Sequence, residues 1–516
     1  MATTESEAPT QAPFPAVQPL DGHNQRLLEN VHPPSWRNPE PRDHYHLVVV
    51  GGGTGGLVTA AIGAALGAQV ALVERELLGG DCLNVGCVPS KAILRAARAW
   101  KEVARGAERF GAPEARGSGD FARVMERMRR IRADLSPVDS AARFQGELGV
   151  DVFLGQGRFV ANDALDVGGK RLHFRRAVIA TGARAAAPSI PGLEEAGYLT
   201  NETVFSLTER PEQLVVIGGG PIGCELAQAF ARFGSRVTVL EAGDRILSHD
   251  DPDAASLVAE SLQRDGVEIV TGAEVEQVDG DGQSRTVHYS RAGESGNTTA
   301  THILVGVGRA PNVEGLGLEA AGVQYGEKGV EVDDRLRTSN SQIYAVGDVA
   351  SRYQFTHAAD AQARLVVRNA LFWGRGKASD LVIPWVTYTS PELAHVGITA
   401  DEVAKRTAEV DTITIPLREV DRARLDGEDE GFLRVHLRKG SDTILGATLV
   451  AEHAGEMISQ VTQAMTAGIG LGKLGEAIFP YPTQAEVLRK AADAWRRTRL
   501  TPLAKSMFAT FFRAFS

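Results

Sequence analysis

Residues 46–56 read His-Leu-Val-Val-Val-Gly-Gly-Gly-Thr-Gly-Gly, a short apolar run that leads directly into a glycine-rich turn. An alanine-rich stretch follows over residues 57–67, and a second apolar run over residues 69–73 ends at Glu74. The order of strand, glycine turn, helix, strand and acid is the fingerprint of a Rossmann dinucleotide-binding unit. The stretch therefore predicts a parallel α/β domain that opens with a nucleotide site.

A second copy of this pattern occurs later in the chain. Residues 214–217 are apolar, residues 218–223 read Gly-Gly-Gly-Pro-Ile-Gly, and the next apolar run ends at Glu241. Glu74 lies 23 residues after Gly51, and Glu241 lies 23 residues after Gly218. Matching offsets indicate two separate dinucleotide sites. We expect one to hold a flavin and the other a nicotinamide cofactor.

Three shorter segments have the form of a strand that ends in a tight turn. Residues 178–183 read Val-Ile-Ala-Thr-Gly-Ala, residues 303–312 contain Gly-Arg-Ala-Pro-Asn, and residues 343–348 end in Gly-Asp. From about residue 380, predicted strands alternate with predicted helices and no glycine-rich loop occurs. This last region is expected to be an α+β domain that mainly makes contacts.

Residues 79–91 read Gly-Gly-Asp-Cys-Leu-Asn-Val-Gly-Cys-Val-Pro-Ser-Lys and contain two of the three cysteines of the chain. In a regular helix, positions five apart have Cα atoms about 8–9 Å apart, and a disulfide requires less than about 7 Å. A bridge between Cys82 and Cys87 therefore needs a distorted helix start, for which Gly86 supplies the backbone freedom. We interpret the pair as a redox-active dithiol beside a flavin. The alternatives are two packed thiols or half of a zinc site, which normally needs a second ligand pair.

Length, charge and hydropathy limit the class of protein. A chain of 516 residues predicts three or four domains, and its net charge of −10 disfavours nucleic acid as a partner. Three cysteines do not form the disulfide framework of a secreted protein, so we expect this protein to lie in a reducing cytoplasm. No run of about 18 apolar residues occurs, which excludes a predicted transmembrane helix.

The two ends of the chain differ from its body. Residues 1–43 contain eight prolines and no signal-peptide pattern, and are expected to form a disordered arm that docks near Leu27-Leu28 and Trp36. Residues 495–516 contain five basic residues, no acid, and phenylalanines at helical spacing. This tail could contact a membrane surface. We favour the alternative, packing on its own subunit or on a dimer mate.

The order of these motifs is similar to that of the class I pyridine nucleotide-disulfide oxidoreductases, the flavoprotein family of dihydrolipoamide dehydrogenase, glutathione reductase and mercuric reductase. The resemblance covers roughly residues 44–500. It implies an α/β fold with FAD- and NAD(P)-binding Rossmann-like domains and a C-terminal α+β dimerisation domain, in a homodimer. The implied segments are an arm (1–43), FAD-binding parts (44–195 and 307–379), an NAD(P)-binding domain (196–306), a dimerisation domain (380–494) and a basic amphipathic tail (495–516).

The resemblance also implies residue roles. Cys87 would face the flavin as the charge-transfer thiolate, Cys82 would be the interchange thiol, and Lys91 would pair with Glu225 near the flavin and nicotinamide. Glu74 would accept hydrogen bonds from the FAD ribose, and Asp348 would hold the ribityl chain. The implied cofactor-binding set is Gly51, Gly53, Gly55, Gly56, Glu74, Lys91, Thr181, Gly182, Gly218, Gly220, Gly223, Glu241, Gly308, Arg309 and Asp348.

Glu241 bears on the choice of nicotinamide cofactor. A carboxylate at the end of the second strand suits the free 2′-hydroxyl of NADH and repels a 2′-phosphate. A solvent-facing acid is the alternative, and Arg245 four residues later leaves NADPH open. We expect FAD and NADH.

One position departs from the dithiol-reducing members of the family, which carry a His-Pro-Thr-x-x-Glu motif near the C-terminus. Residues 479–486 here read Phe-Pro-Tyr-Pro-Thr-Gln-Ala-Glu, so Tyr481 stands where the histidine would be and Glu486 keeps the acid. A phenol with a pKa of about 10 is a poor proton shuttle at neutral pH. The Phe-Pro-Tyr form resembles mercuric reductase, in which the substrate is a soft metal ion. The chain has neither an N-terminal CxxC module nor a C-terminal cysteine pair, and Cys224 is expected to be a packed thiol.

The expected activity is therefore electron transfer from NAD(P)H through FAD and a Cys82–Cys87 disulfide to a soft metal ion or a small disulfide. No resident metal site is predicted. Three alternatives remain: a dihydrolipoamide dehydrogenase-type disulfide reductase, an NADH diaphorase or oxidase with ancillary cysteines, and a non-enzymatic redox-sensing flavoprotein that binds a partner.

Overall fold

The computed structural model describes residues 17–114, 119–186, 188–280 and 284–515. Its architecture is mixed α/β, with two parallel sheets and a larger antiparallel sheet. The predicted fold class, two Rossmann-like domains followed by an α+β domain, is confirmed.

Residues 17–43 form an ordered segment, which we call the N-terminal strap. Asp21 caps its helix α1 (Gly22–Val31) by accepting hydrogen bonds from His23 N and Asn24 N. Leu27 and Val31 are fully buried against the body. The predicted disorder is therefore wrong for these residues, because the apolar face of α1 is buried in the core of the first domain. The predicted docking near Leu27-Leu28 and Trp36 is observed, and residues 1–16 of the predicted arm lie outside the described residues.

The first domain is built on a five-stranded parallel sheet in the order β19-β7-β1-β2-β3. A three-stranded antiparallel sheet, β4-β5-β6, and a short pair, β8-β16, flank it. Val48, Val49 and Val50 of β1 are almost completely buried, as expected of a strand covered on both faces. The elements of this domain up to the second nucleotide unit are β1 (Leu47–Val50), α2 (Thr54–Ala65), β2 (Val70–Glu74), α3 (Gly80–Asn84), α4 (Cys87–Phe110), α5 (Phe121–Leu135), α6 (Ala141–Gly146), β3 (Asp151–Leu154), β4 (Gly157–Ala161), β5 (Ala164–Val167), β6 (Lys170–His173), β7 (Ala177–Ile179), β8 (Ala183–Ala185) and α7 (Leu193–Ala196).

The second domain contains a four-stranded parallel sheet in the order β11-β10-β9-β15 and a three-stranded antiparallel sheet, β12-β13-β14. Aromatic rings join it to the first domain, since Trp100 meets Phe233 edge-on with ring centroids 5.0 Å apart. The elements are β9 (Gln213–Ile217), α8 (Pro221–Arg232), β10 (Arg236–Glu241), α9 (Pro252–Arg264), β11 (Val267–Thr271), β12 (Ala273–Gly280), β13 (Arg285–Arg291), β14 (Glu294–Ala300) and β15 (His302–Val305).

The chain then returns to the first domain. Its strand β19 pairs in parallel with β7, and the helix that follows packs beside α2. The returning elements are β16 (Arg309–Pro311), β17 (Tyr325–Gly326), β18 (Gly329–Val330), β19 (Ile343–Ala345) and α10 (Thr356–Leu371).

The C-terminal domain has a five-stranded antiparallel sheet in the order β20-β21-β24-β23-β22. The sequence anticipated its alternation of strands and helices but missed β21, which follows directly on the preceding strand. The elements are β20 (Pro384–Thr387), β21 (Glu392–Gly397), α11 (Ala400–Lys405), β22 (Val410–Pro416), α12 (Asp421–Asp426), β23 (Phe432–Arg438), β24 (Ile444–Ala451), α13 (Ala454–Thr466), α14 (Leu471–Leu474) and α15 (Glu486–Thr498).

The tail forms a final helix, α16 (Pro502–Phe515), in which none of the described residues is buried. Packing of this helix on its own subunit, one part of the expectation, is therefore wrong, and packing on a dimer mate stays a prediction. Among the described residues, no helix is long and apolar enough to cross a membrane.

Candidate active site

Two glycine-rich turns form matching cradles at the N-termini of α2 and α8. A Cβ atom at Gly56 would lie 1.8 Å from Gly51 O, and one at Gly223 would lie 2.1 Å from Gly218 O. Only glycine permits the helix to approach the strand this closely. The free N–H groups at the two helix N-termini favour a phosphate group. The residues present therefore fit two dinucleotides.

In each nucleotide-binding unit, the acid at the end of the second strand accepts hydrogen bonds from backbone N–H groups, one of them in the glycine-rich turn. Glu74 accepts hydrogen bonds from Gly52 N at 2.5 Å and from Glu76 N at 2.6 Å. Glu241 does the same with Gly219 N at 2.6 Å and Gly243 N at 2.7 Å. Burial raises the pKa of the Glu74 carboxyl. Each carboxylate fixes the shape of a glycine turn, a role that the sequence analysis did not assign.

The two cysteines lie at the junction of two helices. Cys82 lies within the short helix α3, and Cys87 is the first residue of α4. Gly86 between them adopts φ −134° and ψ −111°, and a Cβ atom there would lie 2.8 Å from Asp81 O. The break at Gly86 is the distortion that the spacing predicted. Both thiols are free in this structure.

The thiols differ in acidity. A hydrogen bond from Cys82 lowers the pKa of the Cys87 thiol, and the Thr356 hydroxyl and Lys91 ammonium lower it further. The same hydrogen bond, together with burial, raises the pKa of Cys82. Thr356 Oγ1 lies 3.4 Å from Cys87 Sγ. These shifts favour Cys87 as the thiolate of the reduced pair and Cys82 as the protonated thiol, and the roles of the two thiols stay a prediction.

Lys91 and Glu225 meet where the first domain contacts the second. Lys91 Nζ lies 2.9 Å from Glu225 Oε2 and 4.5 Å from the centre of the Tyr388 ring. Glu225 Oε1 accepts a hydrogen bond from Tyr388 N at 2.8 Å. Burial would lower the pKa of Lys91, but the Glu225 carboxylate outweighs it and raises that pKa. A cation is thus held beside the thiols.

Arg309 brings two further carboxylates together. Its guanidinium forms an ion pair with Asp81, and its Nε lies 3.4 Å from Asp348 Oδ2. Burial raises the pKa of Asp348 to about 6. Asp81 directly precedes Cys82, so this ion-pair network connects the returning segment of the first domain to α3.

The predicted Thr181-Gly182 turn is tied to the Gly-Arg-Ala-Pro-Asn segment. Thr181 Oγ1 donates a hydrogen bond to Asn312 O at 2.7 Å, and Asn312 N donates to Gly182 O at 2.9 Å. Gly308 takes a φ of 132°. These bonds explain why the two segments, distant in sequence, line one site.

A connected cavity of about 2100 Å³ contains most of the predicted residues. This volume exceeds the roughly 300–1,000 Å³ of a pocket for one small molecule. Gly56 and Gly223 are not among the described residues of its wall. The predicted residues on the wall are Gly51, Gly53, Gly55, Glu74, Cys82, Cys87, Lys91, Thr181, Gly182, Gly218, Gly220, Glu225, Glu241, Gly308, Arg309 and Asp348.

Two predicted catalytic residues do not join this cluster within one subunit. Tyr481 and Glu486 are absent from the described residues of the cavity wall. Tyr481 is 71% exposed and donates a hydrogen bond to Asp421 Oδ2 at 3.1 Å. Glu486 opens α15, and its Oε2 is buried with no hydrogen-bond partner among the described residues.

Several residues on the cavity wall carried no sequence motif. Thr356 and His357 open α10, Tyr388 follows β20, and Arg132 comes from α5. Nothing in the spacing of Tyr388 from the cysteines marked it in the sequence. Only tertiary structure brings these side chains to the cavity.

Two family models match the chain. The model described as "Pyridine nucleotide-disulphide oxidoreductase" matches residues 45–363, and that described as "Pyridine nucleotide-disulphide oxidoreductase, dimerisation domain" matches residues 383–492. The second match supports a homodimer. Members of this family use FAD and NAD(P)H.

Relatives of known name differ in their acceptors. A mercuric reductase of Bacillus cereus is 36% identical over 88% of this chain and 72% of its own length. A dihydrolipoyl dehydrogenase of Bacillus subtilis (strain 168) is 32% identical over 87% of this chain and 98% of its own. A solved structure, the Cu(II) complex of the HOCl-induced flavoprotein disulfide reductase RclA from Escherichia coli, matches with a TM-score of 0.78. The two sequences are 30% identical, and the match covers 88% of this chain and 100% of the RclA chain. The chain belongs to the pyridine nucleotide-disulphide oxidoreductases, the family of flavoprotein disulfide reductases.

Proposed function

We propose that this protein reduces a soft or borderline metal ion, such as Hg(II) or Cu(II), with electrons from NADH. The observation that carries the proposal is Tyr481, a phenol at the position where dithiol-reducing relatives place a proton-donating histidine. Its hydrogen bond to Asp421 raises the pKa of Tyr481 still further. The names of the mercuric reductase relative and of the Cu(II) complex support the same substrate class.

The site residues divide the work. The first cradle, with Gly51, Gly53 and Gly55 on its wall, would hold FAD, which would supply two-electron transfer between the nicotinamide and the Cys82–Cys87 disulfide. Lys91, held by Glu225, stabilises the negative charge that arrives with those electrons. Cys87 is the thiolate that the Thr356 hydroxyl and Lys91 favour, and Cys82 loses its proton when it binds the metal.

The overall reaction balances without a further reductant. One NADH and one Hg(II) give NAD⁺, H⁺ and Hg(0), and one NADH and two Cu(II) give NAD⁺, H⁺ and two Cu(I). Thiolates suit the soft ions Hg(II) and Cu(I), and metal binding releases protons rather than consuming them. A proton donor at position 481 is therefore unnecessary.

We propose NADH over NADPH as the electron source. Glu241 places a carboxylate at the end of β10, where a 2′-phosphate would meet it. Arg245, the residue that left NADPH open, donates hydrogen bonds to Ser248 O at 2.6 Å and Asp250 O at 3.2 Å. Its guanidinium is thus engaged by its own loop.

We further propose that each active site is completed by a second copy of the chain. Exposure of Tyr481 and its separation from the cavity support a role across a dimer, with Glu486 behind it. In that arrangement the phenol would flank the thiol-bound metal. Loss of dimerisation would then abolish metal reduction while leaving reduction of the flavin by NADH intact.

A second candidate, reduction of a small disulfide, is favoured by His357. This imidazole lies on the cavity wall beside Thr356, and its Nε2 lies 2.7 Å from Pro384 O. A disulfide reduction consumes one proton per NADH, which His357 could deliver. His357→Gln would then reduce disulfide turnover and leave metal reduction unchanged.

An acceptor panel tests these proposals. The holoenzyme is reduced anaerobically with NADH or NADPH and offered Hg(II), Cu(II), oxidised lipoamide, glutathione disulfide and a quinone. We expect metal reduction that Cys82→Ala abolishes, with quinone reduction preserved. Disulfide turnover faster than metal turnover would overturn the metal assignment. Quinone turnover alone would identify a diaphorase, and no turnover with a stable protein partner would identify a redox sensor.

A further inference from the structure

The N-terminal strap lies before the residues that the family models match, which begin at residue 45. Its contacts with the first domain are nonetheless those of a core element. Asn24 is fully buried, as are Leu27 and Val31 of the same helix. Arg129 of α5 forms an ion pair with Asp21 at 2.6 Å, and Trp36 Nε1 donates a hydrogen bond to Val152 O at 3.2 Å.

The strap also covers the segment that leads from the first cradle to the cysteines. Leu78 N donates a hydrogen bond to Val31 O at 3.1 Å, and His32 contacts Glu76 O. Leu78 is followed by Gly79 and then by α3. The strap therefore contacts the chain directly before the helix that carries Cys82.

A chain of hydrogen bonds continues from the strap into α3. Asn24 Oδ1 accepts a hydrogen bond from Arg132 Nη2 at 2.7 Å. Arg132 Nη1 donates to Asn84 O at 2.6 Å. Asn84 is the last residue of α3, two residues after Cys82, and its own side chain donates to Leu78 O and Gly80 O. Asn84 thus joins both ends of this five-residue helix.

Because these hydrogen bonds are buried, the loss of one partner is costly. Arg132 is 4% exposed and Asn84 is 3% exposed, so water does not readily replace a lost partner. Burial also lowers the pKa of Arg132 to about 10. A guanidinium that lost Asn24 would turn toward another acceptor and release Asn84 O. The short helix α3, which has few hydrogen bonds of its own, would then lose an anchor.

We propose that the N-terminal strap is part of the redox site, in which Asn24 acts through Arg132 to fix the end of α3 and hence the position of Cys82. Asn24 and Arg132 are positioning residues, since neither touches the thiols. The inference rests on the proposed redox role of Cys82 and Cys87, but not on the identity of the acceptor.

The test uses three variants of the full-length holoenzyme. Asn24→Ala removes the acceptor for Arg132, and Asn24→Asp keeps an oxygen at that position. Asn30→Ala is the matched control, because Asn30 lies on the same helix and donates to Ser136 Oγ at 2.8 Å without touching Arg132. After reduction with NADH, alkylation of each cysteine by iodoacetamide is followed by mass spectrometry, and FAD content and melting temperature are recorded in parallel.

We expect Asn24→Ala to accelerate alkylation of Cys82 by about tenfold, as for loss of one hydrogen bond to a charged group. Asn24→Asp should remain within about twofold of the unmodified protein, as a retained acceptor requires. Asn30→Ala should lower the melting temperature without changing the Cys82 rate. Equal Cys82 rates in Asn24→Ala and Asn30→Ala would overturn the proposal and leave the strap a purely structural element.

Should Asn24→Ala fail to fold, Arg132→Lys carries the same test, since a lysine cannot bridge Asn24 and Asn84 through a planar guanidinium. The acceptor panel is scored separately. Faster Cys82 alkylation without metal reduction would support the strap and refute the proposed substrate. Metal reduction with an unchanged rate of Cys82 alkylation would support the proposed substrate and refute the role of the strap.

Discussion

The two glycine-rich units have the same local geometry and different surroundings. Gly51 N donates a hydrogen bond to Val73 O at 2.8 Å, and Gly218 N donates to Leu240 O at the same distance. The second glycine of each unit also accepts a bond from the following loop, Gly52 O from Gly79 N and Gly219 O from Leu247 N, both at 2.9 Å. Cradle geometry alone does not distinguish a flavin site from a nicotinamide site.

The two units differ in the segments that lie over them. The first unit leads into α3 and the cysteines, and the N-terminal strap lies over that connection. After the second unit, residues 243–250 form a loop. Within it, Arg245 donates hydrogen bonds to Ser248 O and Asp250 O. Gly243 N donates a hydrogen bond to Glu241, and Gly243 O accepts one from Gly272 N. A covered cradle suits a cofactor that stays bound, and a less covered one suits a cofactor that exchanges in each turnover. This difference supports the proposal that FAD binds to the first unit and the nicotinamide cofactor to the second.

Paired glycine substitutions have the largest expected effect on this comparison. Gly56→Ala places a Cβ atom 1.8 Å from Gly51 O, and Gly223→Ala places one 2.1 Å from Gly218 O. Overpacking of this kind costs about 3 kcal/mol or more, roughly a hundredfold in affinity. We expect Gly56→Ala to be purified without FAD and Gly223→Ala to retain FAD but lose reduction by NADH.

The control for this pair is Gly146→Ala. A Cβ atom there meets nothing within 4 Å, so FAD content and reduction by NADH should both be unchanged. Absorbance spectra and stopped-flow reduction measure the outcomes. Loss of FAD in both cradle variants would contradict the assignment of separate cofactors.

The next effect concerns the point where the two units meet. Lys91→Met removes the cation that Glu225 holds 2.9 Å away. We expect the rate of flavin reduction by NADH to fall by about a hundredfold, a typical cost of removing one stabilising group. Lys101→Met is the matched control, because Lys101 lies on the same helix and pairs with Asp265 at 3.1 Å, outside the cavity wall. Equal losses in both variants would show that domain contact, rather than charge beside the thiols, sets the rate.

A smaller effect is expected at the acid of the second unit. Glu241→Ala removes two hydrogen bonds to the turn and the negative charge at the strand end. We expect kcat/KM for NADH to fall by about tenfold and that for NADPH to fall less. Steady-state kinetics with a quinone acceptor measure both cofactors. A larger loss for NADPH would show that Glu241 does not discriminate against the 2′-phosphate.

The sequence predicted the parts of this site that depend on local chain geometry. The cradles, the break at Gly86 and the acids Glu74 and Glu241 each follow from spacing within one βαβ unit or one helix junction. Thr356, Tyr388 and Arg132 could not be found this way, because they reach the cavity from elements far away in sequence. The docking of the strap near Leu27-Leu28 and Trp36 was predicted, but its ordered structure was missed for another reason. Its prolines dominate its composition, whereas its order comes from the buried face of α1 and from Asn24, features that need a partner surface to be recognised.

The smallest expected effect concerns the pH dependence of the thiol pair, which lies between the two units. Hydrogen bonds from Cys82 and Thr356 lower the pKa of Cys87, so the thiolate forms below the usual thiol value of about 8.5. In the two-electron-reduced enzyme, thiolate-to-flavin charge-transfer absorbance should therefore rise with pH and reach half its maximum below that value. Thr356→Val should move the midpoint upward by less than about one pH unit, since one neutral donor is lost and Lys91 remains. A midpoint that does not move would mean that Cys82 and Lys91 alone set the acidity of Cys87, and that α10 contributes only to the shape of the cavity.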